Sequence, residues 1–81
     1  MATDYRPINC SYYDELEAIA TLRKRVTVIY QNDSAQVTLN GVGIKNLYAK
    51  DKEEFVVLTN GQTIRLDYLI EVDGKLVIKA C

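Results

Sequence analysis

Apolar positions along this chain of 81 residues fall into two periods, and the change between them comes at residue 23. From Tyr12 to about Leu22 the spacing is helical. At about 100° per residue, Tyr12, Leu16, Ile19 and Ala20 share one stripe, while Tyr13, Asp14, Glu17 and Thr21 share the opposite one. Ser11 followed by Asp14 predicts a capping box at the start, with acids in the first turn, so the helix is expected over about 11–23 behind an extended leader, 1–10. After Arg23 the period becomes two. In RVTVIYQ, Val26, Val28 and Tyr30 alternate with Thr27 and Ile29, and in AQVTLN, Val37 and Leu39 alternate with Gln36 and Thr38, with NDS as the turn between them.

The remaining chain, to 81, continues as short strands. GVG predicts a bend or bulge before IKNLYAK, a third element, and the charged KDKEE makes an exposed turn. In EFVVLTNGQTIRL, Asn60-Gly61 predicts a two-residue type I′ hairpin. DYLIEV reads as a 3₁₀ piece with a brief strand, Asp73-Gly74 turns again, and KLVIKA is the last strand. One helix followed by five or six strands with hairpin connections gives a mostly β (α+β) domain. The expected form is a small Sm-like or SH3-like antiparallel β-barrel over about 25–81, its N-terminal helix covering one end or an open edge.

Composition restricts the function more than the fold. The chain is one domain by length, and 48% hydrophobic with 26% charged residues is a folded rather than a disordered composition. Net charge is −1, but residues 1–22 carry four acids against Arg6, whereas residues 23–81 carry nine bases and seven acids. Arg23-Lys24-Arg25 is the one contiguous basic run and reads as cations complementing the helix C-terminus, so direct nucleic-acid binding is not expected. Histidine is absent, and no nucleophile-elbow, phosphate-loop or metal-ligand spacing occurs. The expectation is a protein that is not an enzyme and uses no metal or cofactor. Cys10 and Cys81 read as free thiols of a cytoplasmic protein, Cys10 as a small buried hydrophobe. No apolar run is long enough to span a membrane.

The leader carries a more specific signal. Tyr5, Pro7, Ile8, Asn9 and Cys10, in the pattern Y-x-P-I-N-C, precede Tyr13, Asp14, Leu16 and Glu17. This resembles the Rho-binding antiterminator family, called Rof, and the strand order, Glu54 to Val57 and Arg65 to Asp67 agree with it. The resemblance implies a single Rof-like domain over 1–81, a monomer when free, that inhibits Rho-dependent transcription termination in bacteria. Such a protein binds the RNA-recruiting N-terminal domain of the termination factor Rho and blocks its primary RNA site through an acidic helix face. It assigns Rho contact to Tyr13, Asp14 and Glu17 first, then to Asn9, Ser11, Glu15, Lys50 and Lys52. Ser11 and Tyr12 stand where acids often follow the motif cysteine, which makes the negative patch smaller.

Each of these residues also has a local explanation. Asp14 and Glu17 suit an ordinary solvated helix face, Asn9 suits a turn, and Lys50 and Lys52 suit an exposed loop. The alternative function is an Sm-like or SH3-like module that binds single-stranded RNA or another protein, resting on the fold plan and the basic triplet.

Overall fold

The computed structural model describes residues 8–33 and 35–77. Element order is α1 (Cys10–Leu22), β1 (Val26–Gln31), β2 (Gln36–Val42), β3 (Ile44–Lys50), β4 (Glu53–Leu58), β5 (Thr63–Arg65), a 3₁₀ turn (Leu66–Tyr68), β6 (Leu69–Val72) and β7 (Lys75–Leu76). The fold is mostly β with one helix. Tyr5, Pro7, Ser34 and Cys81 lie outside the described residues, as does the tail of the expected last strand.

Helix α1 begins two residues earlier than a capping box at Ser11 allows. Asn9, not Ser11, is the cap, and its Oδ1 accepts from the backbone N–H of Ser11 at 2.8 Å and of Tyr12 at 3.3 Å. Asparagine does this as well as serine, satisfying donors that have no partner inside the helix. Asp14 therefore falls beyond the first turn, which holds no acid. At the other end Arg23 adopts the left-handed conformation (φ 56°), and the N–H groups of Arg23 and Lys24 bond back to Ala20 and Ile19 carbonyls. The basic triplet thus follows the helix, and its last turn contains no base.

The strands divide into two antiparallel sheets, β2-β1-β6-β7 and β3-β4-β5. One curled sheet closing toward a barrel is the simplest arrangement of the sequence pattern; among the described residues no closed barrel forms. Two places separate the sheets. Near-continuous β2 and β3 are broken at Gly43, where a Cβ would lie 3.2 Å from Thr59 Cγ2 and 3.3 Å from the Lys24 carbonyl. On the far side, the 3₁₀ turn carries the chain from β5 to β6, and the end of β1 does not pair with β5. An open groove of about 690 Å³ lies along this seam, with Tyr30 and Gln31 on one wall and Thr63 and Arg65 on the other.

Turn chemistry follows the local residues, with one exception. Asp73 (φ 55°) and Gly74 (φ 79°) form the two-residue turn of the β6–β7 hairpin. The expected type I′ turn at Asn60-Gly61 does not form, since only Gly61 has positive φ, at 94°. Gly61 N–H bonds to the Leu58 carbonyl and Leu58 N–H to the Gln62 carbonyl, the three-residue loop of a type I turn followed by a left-handed glycine. Asn60 favours this form because its side chain bonds both Gln62 N–H and Gln62 Oε1. Gly41 (φ 68°) sits at the bulge where β2 shifts against β1, as GVG predicts.

A single core joins the parts. Tyr12, Leu16 and Ile19 of α1 pack with Val26 and Val28 of β1, Ile44 of β3, Val56 and Leu58 of β4, and Leu69 and Val72 of β6. The helix seats chiefly on β3. Tyr12, expected to face inward, does so, and its hydroxyl donates to the Lys75 carbonyl at 2.7 Å, fastening the helix to the β6–β7 hairpin.

The candidate partner-binding face

The outer stripe of α1 is exposed at Asp14, Glu17 and Thr21, as its period predicts, but Tyr13 is half-buried and packs against the core. Its ring therefore has a fixed inner edge and an accessible outer one. Burial first, and then the negative charges of Glu54 and Glu17, hold the Tyr13 phenol above its ordinary pKa. The face thus combines a half-buried phenol packed against the core with exposed Glu17 one helical turn on and Asp14 on the same stripe, and Glu54 of β4 adds negative charge that is felt at the phenol.

Glu54 is the residue that the helix pattern does not reveal. It comes from β4, where Glu54, Val56 and Leu58 alternate with Glu53, Phe55 and Val57, so Glu54 extends the core-facing row to the edge where the helix lies. The signal is present in EEFVVL as a period-two row ending in an acid, but it carries meaning only once the helix is known to cover that row.

The other expected contacts occupy different places. Asn9 is committed to the helix cap. Ser11 is exposed in the first turn, with its N–H held by Asn9. Glu15 lies away from Tyr13 and Glu17, where its Oε1 meets Lys75 Nζ at 2.7 Å on the side facing the β6–β7 hairpin; both side chains are about half exposed, so the pair is weakly stabilising. Lys50 closes β3 opposite Glu53, and Lys52 occupies the turn. Asp51 (φ 53°) and Lys52 (φ 67°) are both left-handed, which gives the β3–β4 hairpin a type I′ turn without glycine. Both lysines project from the same hairpin that supplies Glu54.

Cys10 departs from expectation in two ways: it is exposed, at the first turn of α1, and it is disulfide-bonded rather than a free thiol. Among the described residues there is no free cysteine.

Elsewhere one charged cluster is largely withdrawn from solvent. Arg65, nearly buried, makes a bidentate pair with Asp67 (2.6 and 2.7 Å), reaches Glu53 at 3.2 Å and lies 4.6 Å from the Tyr68 ring centroid. Tyr48 stacks on Phe55 across β3 and β4, with ring centres 5.2 Å apart. Phe55 is directly paired with Arg65. One face of the three-stranded sheet therefore carries a cross-strand row of two rings and a neutralised, largely buried guanidinium, a stabilising arrangement by cross-strand packing. Among the described residues, no group of three or more acids or cysteines is placed to hold a metal, and no helix is long and apolar enough to cross a membrane.

Neither family models, nor curated proteins, nor solved structures give a match to this chain.

Proposed function

We propose that this protein inhibits bacterial Rho-dependent transcription termination, binding the RNA-recruiting N-terminal domain of Rho and covering its primary RNA site. The supporting observation is the α1 face on which Tyr13 packs against the core while Asp14 and Glu17 of the same stripe stay exposed, with the charge of Glu54 acting on the phenol from β4. A surface that receives single-stranded RNA offers cations to the backbone and flat groups to the bases. Carboxylates around an anchored ring compete for such a surface on both counts. Lys50 and Lys52 of the neighbouring turn then meet acids on the rim of the partner.

In this reading the two-sheet body is an opened Sm-like or SH3-like plan, and the protein is a monomer with no reaction of its own. The leader motif Y-x-P-I-N-C leads into the helix that carries the face, and within it Asn9 fixes where that helix begins.

The test is direct titration of the protein against the Rho N-terminal domain, with displacement of a labelled pyrimidine-rich RNA from intact Rho as the second readout. Glu17→Lys, on an exposed position, is expected to weaken Rho binding by about tenfold or more, as reversal of a contacting charge does. Glu15→Gln, on the other side of the helix, is expected to leave it unchanged. A folded Glu17→Lys protein that binds and inhibits Rho like the wild type would show that the face is wrong.

A further inference from the structure

The basic triplet does not act as one patch. Lys24 turns away from its neighbours, its Nζ lying 3.5 Å from Asp73 Oδ2 at the β6–β7 turn. Arg23 and Arg25 instead line a separate cleft of about 370 Å³, and Lys45 joins them from β3. The α1–β1 connection and β3 thus bring three cations to one concavity, and among the described residues none that lines it is an acid. Arg25 Nη1 donates to the Gly41 carbonyl at 3.3 Å, which orients its fork beside the opening.

The cleft is built at the junction that separates the two sheets. Gly43 and Thr59 form its floor, tied by Gly43 N–H to Thr59 Oγ1 at 3.0 Å and Thr59 N–H to the Gly43 carbonyl at 2.9 Å. With no Cβ at Gly43, the floor stays low. The nearby helix C-terminus adds partial negative charge, which three full positive charges outweigh.

We infer that this cleft binds the phosphate backbone of single-stranded RNA. Arginine forks match phosphate oxygens two at a time, lysine adds a point charge, and the Thr59 hydroxyl is a further polar group within the floor. Among the described residues no aromatic lines the cleft, so contact is to the backbone rather than to stacked bases and the binding is independent of sequence. Its apolar lining, Ala20 and the buried Ile44, offers nothing to insert into a lipid surface. This departs from the expectation that nucleic acid is not contacted, because Lys45 enters the site from a strand that the triplet alone does not reveal. It goes beyond the Rho reading and does not depend on it.

The experiment is fluorescence anisotropy of a labelled oligouridylate of about 10 nucleotides at about 50 and 200 mM salt. Three phosphate contacts on a single strand give a slope of log K against log salt of about −2. Arg25→Gln and Lys45→Gln are each expected to weaken binding about fivefold and to flatten the slope by about 0.7. Lys24→Gln makes the same change in net charge one residue from Arg25 but outside the cleft, and is expected to leave affinity within about twofold. Far-UV circular dichroism confirms that each exposed-site variant is folded.

Absence of RNA binding at the lower salt would overturn the proposal. So would equal losses for Lys24→Gln and Lys45→Gln, or equally tight binding of polyglutamate or of anionic lipid vesicles. Glu17→Lys and Lys45→Gln separate the two functions: the first is expected to lose Rho and keep RNA, the second to lose RNA and keep Rho.

Discussion

Tyr12 and Tyr13 are adjacent, yet one is structural and the other belongs to the proposed contact face, and the difference is set by what their rings meet. Tyr12 is buried among core residues, with its hydroxyl committed to the Lys75 carbonyl. Desolvation is the main reason that its phenol is pushed up to about 12. Because the folded value exceeds the unfolded one of 10.0, the stabilisation is complete below about pH 10 and is lost as pH rises toward 12, where the unfolded chain releases its proton first. Tyr12→Phe is therefore expected to cost about 1 kcal/mol at neutral pH, for the lost hydrogen bond, and to reduce the loss of stability between pH 10 and 12. Urea denaturation across that range measures both effects; an unchanged alkaline limb in Tyr12→Phe would assign the loss to other groups.

At the scale of elements, the hairpins show how far turn residues decide geometry. Asp73-Gly74 and Asn60-Gly61 look alike in sequence, but the first is a two-residue turn and the second the end of a three-residue loop. Asn60 bonds to Gln62 through both ends of its amide, and that local preference decides the outcome. The β3–β4 turn is the reverse case, with two left-handed residues and no glycine. Pairing of β3 with β4 from Ile44↔Leu58 to Lys50↔Glu53 leaves two residues for the turn, and the ladder imposes the conformation on Asp51 and Lys52. Replacing them by Asn-Gly relieves the side-chain clash and is expected to raise stability by about 1 kcal/mol. Thermal denaturation checks this; a loss of stability would mean that the Asp51 or Lys52 side chain contributes more than its backbone costs. The same variant removes a lysine from the hairpin beside the contact face, so its Rho affinity also reports on Lys52.

For the whole molecule, separate sheets do not mean separate folding units. Leu16, only 1% exposed, belongs to a core cluster that draws on α1 and on strands of both sheets. Leu16→Ala is expected to cost about 2–5 kcal/mol, a large part of the stability of a domain this small. If the core is single, helix and sheet signals lose stability together in one transition of the variant, as they do in the wild type. Unfolding of the helix ahead of the sheets, seen as far-UV and near-UV circular dichroism curves that do not coincide, would show α1 to be an independent lid.

The sequence by itself determines the elements here, since period 3.6 places Tyr12, Leu16 and Ile19 on one side of α1 and period two orders the strands. Local side-chain chemistry also marks most turns. It misassigned the helix cap, because Ser11 and Asn9 are both competent and only the path of the chain chooses between them. The division into two sheets, the crossing of α1 over β3, and the exposed, bonded state of Cys10 were decided by tertiary structure. So were the two candidate sites: Glu54 beside Tyr13 and Lys45 beside Arg25 are pairs distant in sequence, joined only by packing. Local pattern records what each segment can bury, but charge constellations arise where segments meet, and no single segment encodes that meeting.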